Sequence, residues 1–313
     1  QAHVDYFVGK SLSENKSKTP IAVIQTSNSV TGKQRVRAMN EKSSYPVRIQ
    51  GLCKGKLLNY EEQISSIKFA LNANDDWQSV IDIFCKNTTH VISNTADQGY
   101  QLFNDDNLSS FPPKSFPAKL LQLLFARYQY NEIPITLMPC ELIAANGLVL
   151  KEIVIRLAKA WQYDNQFINW LSTKCIWVNS LVDRIVSQSI EPLGAITEPY
   201  ALWAIEKQDG LVIPCRHKAI HLVDNLASIE WLKLSLLNLS HTYLVDQWMQ
   251  KKTSNILTVQ QAMENEYLRQ CLETLLAQEV VPALEAMSLG ENIQEYLSLV
   301  RDRFLNPFLN HHN

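Results

Sequence analysis

The sequence predicts an α/β protein, with a parallel-sheet domain over residues 1–185 and a mainly helical domain over residues 186–313. Three observations lead there. Short apolar runs of strand length alternate with helix-length stretches in the first part, the pattern of parallel strands joined by crossover helices. After about residue 185 the texture changes to long helical patterns at 226–250, 258–286 and 291–305. The 313 residues, 46% of them hydrophobic, suffice for two cored domains.

In chain order, residues 2–12 read as a helix already under way. A polar loop follows, and then Pro20 to Thr26 as a buried strand. Val47 to Leu52 and Lys56 to Tyr60 read as a hairpin-like pair, Trp77 to Phe84 as a helix, and His90 to Thr95 as a second buried strand. Phe116 to Tyr128, after Pro112 and Pro113, has the spacing of an amphipathic helix. Ile133 to Met138 is a strand, Gly147 to Trp161 a helix, and Gly210 to Pro214 a further short strand.

Composition excludes several classes. With 29 basic and 31 acidic side chains the formal net charge is −2. No basic block is long enough to form a nucleic-acid surface, and Lys10 to Lys18 and Lys33 to Arg37 read as solvated loops. No apolar run approaches the roughly 20 residues of a membrane span. The six cysteines are widely spaced with no CxxC pair, as expected for reduced thiols in a cytoplasmic protein and not for a disulfide framework or zinc site. His217 and His221 stand four apart without a nearby third ligand and read as a surface pair, so no metal is expected.

The chemistry concentrates in residues 231–245. At about 100° per residue, Lys233, His241 and Asn238 fall at roughly 0°, 80° and 140°, on one face of a helix otherwise rich in leucine. A helix apolar on every side is usually buried, and desolvation of a lysine moves it toward proton transfer at neutral pH. Asn238 can donate to an oxygen that gains negative charge, and His241 can orient a hydroxyl. The alternative is a lysine whose stem packs on leucines while its ammonium reaches water.

An absence also carries information. A dinucleotide-binding α/β domain normally opens with a strand, a G-x-G-x-x-G turn and a helix, and the nine glycines here form no such cluster. The expectation is that the first strand and phosphate-cradling turn precede Gln1. No acidic residue closes the strand at 20–26, where Gln25, Thr26 and Ser27 stand in place of the usual ribose anchor.

Several segments together resemble the long-chain mannitol dehydrogenase family of NAD-dependent polyol and sugar-acid oxidoreductases. Lys233-x4-Asn238-x2-His241 is similar to its catalytic motif, and Asn179 to Ile185 to its N-x-x-V-D-R-I segment. Cys140 to Gly147 resembles C-[DE]-x4-N-G, and Thr95 to Gly99 resembles T-x-E-x-G with Asp97 in place of glutamate. Glu198 to Glu206 and Arg303 to Pro307 match further landmarks, all in family order. The Pro113 to Leu120 segment and the Ser-Asn-Thr loop at 93–95 are nearest to the branch interconverting tagaturonate and altronate.

The resemblance implies a Rossmann-like domain followed by a helical one, NAD as cofactor, no metal, and a small sugar acid or polyol as substrate. It implies Lys233 as general acid and base, with Asn238, His241 and Asn146 around the reacting oxygen. Asp183 and Arg303 would contact substrate, Arg303 as a bidentate partner of its carboxylate. Thr95, Asp97 and Gly99 would lie at the cofactor. Structural roles remain open for three of these: Asn146 with Gly147 as a turn, Asp183 with Arg184 as a domain-interface ion pair, and Arg303 as complement to a helix dipole. The absent glycine turn also leaves open a non-catalytic family member that acts through its helices.

Overall fold

A computed structural model describes residues 2–14, 19–95, 99–251, 258–289 and 293–309. Helix α1 (Val4–Ser13) leads to strand β1 (Ile21–Gln25) and helix α2 (Val30–Glu41), then the long hairpin β2 (Tyr45–Cys53) and β3 (Lys56–Ile64), and β4 (Ile67–Asn72). Next come α3 (Trp77–Lys86), β5 (His90–Ser93), α4 (Phe116–Asn131), β6 (Thr136–Pro139), α5 (Asn146–Ala160), α6 (Asn165–Thr173) and β7 (Ile176–Trp177). Five short strands follow: β8 (Ser180–Asp183), β9 (Val186–Ser189), β10 (Ala195–Thr197), β11 (Leu202–Glu206) and β12 (Ile220–Val223). The remainder is helical: α7 (Ala227–Leu232), α8 (Leu239–Lys251), α9 (Val259–Glu264), α10 (Glu266–Leu275), α11 (Val281–Ala286) and α12 (Ile293–Phe304), with π-helical turns at Lys233–Asn238 and Leu276–Val280.

Parallel pairing joins β1 to β4 and, separately, β5 to β6 to β7. These two groups present the same two faces. Ile24, Val91, Leu137 and Trp177 point into a core built with α3 to α6, while Ile21, Ile92, Met138 and Val178 point into a second core with α1 and α2. Alternate residues facing opposite layers are what strands of one sheet produce. The sheet is therefore one layer interrupted between β1 and β5, and among the described residues no strand bonds the free edge of either.

Local chemistry explains where helices start. The hydroxyl of Ser29 accepts from Gly32 N–H at the head of α2, Ser115 accepts from Ala118 N–H ahead of α4, and Thr258 forms a reciprocal capping box with Gln261 at α9. The amphipathic reading of α4 needs correcting. Residues 117–124 are all buried, Lys119 and Gln122 among them. Their polar ends are bonded to main-chain carbonyls, Lys119 to Lys114 and Gln122 to Ser110, as Arg127 is to Phe84 and Ile133, so burial leaves these donors satisfied.

Three further expectations change. Lys33 to Arg37 lie within α2 and Lys10 within α1, not in loops. Residues 210–214 form no strand; the nearby strand is β12. The change at residue 185 is not a domain break, because β10 pairs with β2 and β11 with β8, which keeps 186–223 in the sheet-bearing part. Helical packing begins at Ala227 and surrounds its own core of Leu236, Leu244, Met263, Leu272, Leu297 and Val300.

Among the described residues no helix is long and apolar enough to cross a membrane, and all six cysteines are free thiols.

Two consequences can be measured. A methyl group on Gly147 would overlap the carbonyl oxygen of Val178, so Gly147→Ala should lower unfolding free energy by about 1–3 kcal/mol in urea denaturation. His3 donates from Nε2 to the Leu202 carbonyl at 3.0 Å, and burial lowers its pKa from 6.5 to about 4. A buried neutral histidine contributes stability that is complete above the unfolded pKa and is lost as pH falls from 6.5 through 4. The urea midpoint should therefore fall less between pH 7 and pH 4.5 in His3→Gln than in the parent.

Candidate active site

The site forms at the carboxyl end of β8, where Asp183 meets Lys233 and Arg303 of the helical part. After β6 the chain turns through Cys140 and Glu141, and that turn is stitched to the start of β8. The Asn146 amide donates to the Glu141 carbonyl (3.0 Å) and the Ser180 carbonyl (2.8 Å), and its oxygen accepts from Ser180 N–H (3.0 Å). Ser180 Oγ donates to the Pro139 carbonyl at 2.6 Å. Both amide hydrogens of Asn146 are thereby committed and the residue is 1% exposed. The expected oxyanion role for Asn146 is corrected: its side chain is a backbone clamp with no donor left over.

Glu141 organises the neighbouring loop. Its buried carboxylate accepts from Thr95 N–H (2.9 Å), Thr95 Oγ1 (3.0 Å), Ser93 Oγ (3.1 Å) and Tyr100 OH (3.2 Å). Burial raises the Tyr100 phenol above its usual range, with the Glu141 charge adding to the effect. Glu141 thus holds Ser93 and Thr95 at the end of β5 together with Tyr100, next to half-buried Gly99. Asp97 lies outside the described residues. Glu141 belongs to the Cys140 to Gly147 segment, but only its position against the loop gives it a role.

Past the stitched turn, β8 ends on Asp183, 7% exposed. One fork of the Arg303 guanidinium holds it, Nη1 to Oδ2 at 2.8 Å and Nη2 to Oδ1 at 3.1 Å. The other fork holds Glu198, Nε to Oε2 at 3.0 Å and Nη2 to Oε1 at 2.9 Å. Arg303 also lies 4.7 Å from the ring centre of Tyr200. Burial opposes the Arg303 charge, yet Glu198 and Asp183 outweigh it and hold its pKa above the ordinary arginine value. Burial likewise raises the Glu198 carboxyl, against the pull of Arg303 and the Ile185 N–H. The expected bidentate contact of Arg303 with a substrate carboxylate is therefore corrected, because both forks are occupied by the protein's own carboxylates. Asp183 pairs with Arg303 and not with Arg184, whose guanidinium donates to the Ala2 and Glu198 carbonyls.

Lys233 arrives from the helical part with its ammonium 3.8 Å from Asp183 Oδ1 and its side chain 19% exposed. The helix carrying it is not buried all round, since Trp231, Leu234 and Leu239 are exposed. Nor is it a uniform α-helix. Over Lys233–Asn238 it widens into a π-turn, with Leu239 N–H donating to the Leu234 carbonyl five residues back. Asn238 is exposed and His241 half-buried.

Removing Arg303 should be costly. Arg303→Ala would strand two buried carboxylates and is expected to lower unfolding free energy by about 3–5 kcal/mol. Arg301→Ala, which breaks a half-exposed pair with Glu273, should cost no more than about 1 kcal/mol. Urea denaturation of the two variants side by side measures the difference.

Residues 2–212 match the family profile described as the mannitol dehydrogenase Rossmann domain, and residues 225–313 match the mannitol dehydrogenase C-terminal domain. Altronate oxidoreductase of Halalkalibacterium halodurans is 29% identical over 330 residues, covering 98% of this chain and 63% of that protein. The Bacillus subtilis altronate oxidoreductase is 29% identical, over 93% of this chain and 64% of its own length. The chain thus spans just under two thirds of these relatives. Among solved structures, substrate-free D-sorbitol dehydrogenase superposes with a TM-score of 0.83 at 20% identity, over 99% of this chain and 68% of that one. The Pseudomonas fluorescens mannitol 2-dehydrogenase ternary complex with NAD and D-mannitol superposes at 0.77 and 19% identity, over 99% and 67%. The likeness to these two structures concerns the fold; matched over nearly its full length by both domain profiles, the chain belongs to the mannitol dehydrogenase family.

Proposed function

We propose that this chain carries the active site of an NAD-dependent oxidoreductase that interconverts a keto sugar acid and its polyol acid, of the tagaturonate and altronate type. The observation that carries the proposal is Lys233 held 3.8 Å from Asp183, with Asn238 and His241 five and eight residues further along the same helical stretch. Altronate oxidoreductases among the relatives support the substrate class, and a structural neighbour that holds NAD and D-mannitol supports the cofactor. The six free thiols suit a reducing, cytoplasmic setting.

The nicotinamide end of the cofactor fits the residues present. Thr95 lies just past the carboxyl end of β5 and is held there by Glu141, and the Lys233 and Asp183 junction would receive substrate. At the end of β1, where an acidic ribose anchor would stand, Gln25 donates to Ser27 Oγ. Bound there, the nicotinamide would supply the hydride. Lys233 then gives its proton to the substrate oxygen as the carbonyl becomes an alcohol, and takes it back in the oxidative direction. Asn238 donates its amide N–H to that oxygen while negative charge builds, a contribution of a few kcal/mol for a preorganised donor. His241 orients an adjacent hydroxyl, and Asp183 keeps the ammonium aimed while contacting substrate hydroxyls.

The assay is NADH consumption with tagaturonate, fructuronate and fructose offered in parallel. Turnover with tagaturonate is expected, and a folded chain inert toward all three would refute the reading. Lys233→Ala should reduce turnover by ~10²- to 10⁴-fold while NADH binding, followed by its fluorescence, is retained; full activity in that variant would remove the proton-transfer role.

A further inference from the structure

Glu198 touches neither Lys233 nor any open surface; it is 1% exposed and lies behind Arg303. Its position is set independently of the helical part. The main-chain N–H of Glu198 donates to the Ile185 carbonyl (3.1 Å), Ile185 N–H donates to Glu198 Oε1 (2.7 Å), and Thr197 Oγ1 donates to the Ile185 carbonyl (2.8 Å). These bonds lock the residue after β10 to the turn after β8. Arg303 must therefore meet a fixed carboxylate with one fork, which leaves its second fork in a fixed plane for Asp183.

Charge gives the arrangement its direction. Asp183 and Arg303 alone form a neutral pair, which draws a further cation only as a dipole does. Glu198 adds one negative charge, and the Lys233 ammonium, 3.8 Å from Asp183 Oδ1, brings the group of four back to neutrality. Burial makes this balance matter, because an uncompensated charge away from water is far costlier than one at the surface.

We propose that Glu198 is a positioning residue of the reaction: through the Arg303 guanidinium it fixes the plane of Asp183, and by its charge it holds the Lys233 ammonium against Asp183. The proposal rests on the dehydrogenase reading for its kinetic consequence, but its structural consequence holds without turnover. Glu198→Gln keeps the size of the side chain. It removes the surplus negative charge and turns an N–H donor toward the donors of Arg303.

The first test needs no substrate. Lysines of the parent and of Glu198→Gln are reductively ¹³C-methylated, and the Lys233 resonance is identified by its loss in Lys233→Arg. In the parent it should stand apart from the exposed lysines; in Glu198→Gln it should join them, with the thermal unfolding transition still cooperative. An unmoved Lys233 resonance in folded Glu198→Gln overturns the proposal.

The second test is kinetic. Glu198→Gln should lower kcat roughly 10- to 100-fold, the scale of a misplaced catalytic group, with KM for NADH unchanged. In an Asp183→Asn background the same substitution should bring little further loss, because the two residues act through one path. Equal fold-losses in both backgrounds would mean that Glu198 merely supports the fold, and would also overturn the proposal. If Glu198→Gln fails to fold, Arg303→Lys interrupts the same path, retaining the charge but losing the double fork, and should shift the Lys233 resonance in the same way. A parent inert toward all three substrates refutes the proposed function, while the resonance still decides the role of Glu198.

Discussion

Arg303 lies between two buried carboxylates, and both of its forks are filled. This ion cluster joins the two parts of the molecule: Asp183 and Glu198 come from the sheet-bearing part, and Arg303 comes from α12, in the helical part that also carries Lys233. Buried ion pairs contribute little net stability compared with apolar packing, but they are demanding in geometry. Here the demand sets one part against the other. Further polar contacts hold α12 nearby, where Asp302 accepts from Gly55 N–H at the tip of the β2–β3 hairpin and Asn306 donates to the Gln50 carbonyl. Gly51 lacks the side chain that would collide with Asn306 and Pro199.

The helical part has a matching irregularity. Its two π-turns touch one another. The second directly precedes Val281 and Pro282, and a proline ring would collide with the carbonyl four residues back in a regular α-helix. That carbonyl belongs to Gln278, inside the widened turn. The first π-turn has no proline to cause it. It packs against the second.

On the sheet side, precision comes from polar side chains turned against the backbone. Asn146 ties the turn after β6 to β8, and Glu141 ties the loop of Thr95 to that turn. Both are buried groups whose bonding capacity is largely taken up by the protein. They hold the walls of the candidate site.

Legible in the residues alone are the alternation of buried strands with helices, the helical character of the last third, and the lysine, asparagine and histidine spacing with its family resemblance. These are local signals, written in periodicity and in residues a few positions apart. Asp183, Glu198 and Arg303 are also visible as landmarks, without their connection. Arg303 finds partners 120 and 105 residues away, and no periodicity encodes which carboxylate a buried guanidinium will meet. Only folding in three dimensions turns Arg303 inward and not toward a ligand, makes Asn146 a clamp, and lets residues 186–223 complete sheets begun earlier in the chain. Packing likewise fixes the phase of the helix that carries Lys233, because a π-turn is set by what surrounds it and not by the residue types within it.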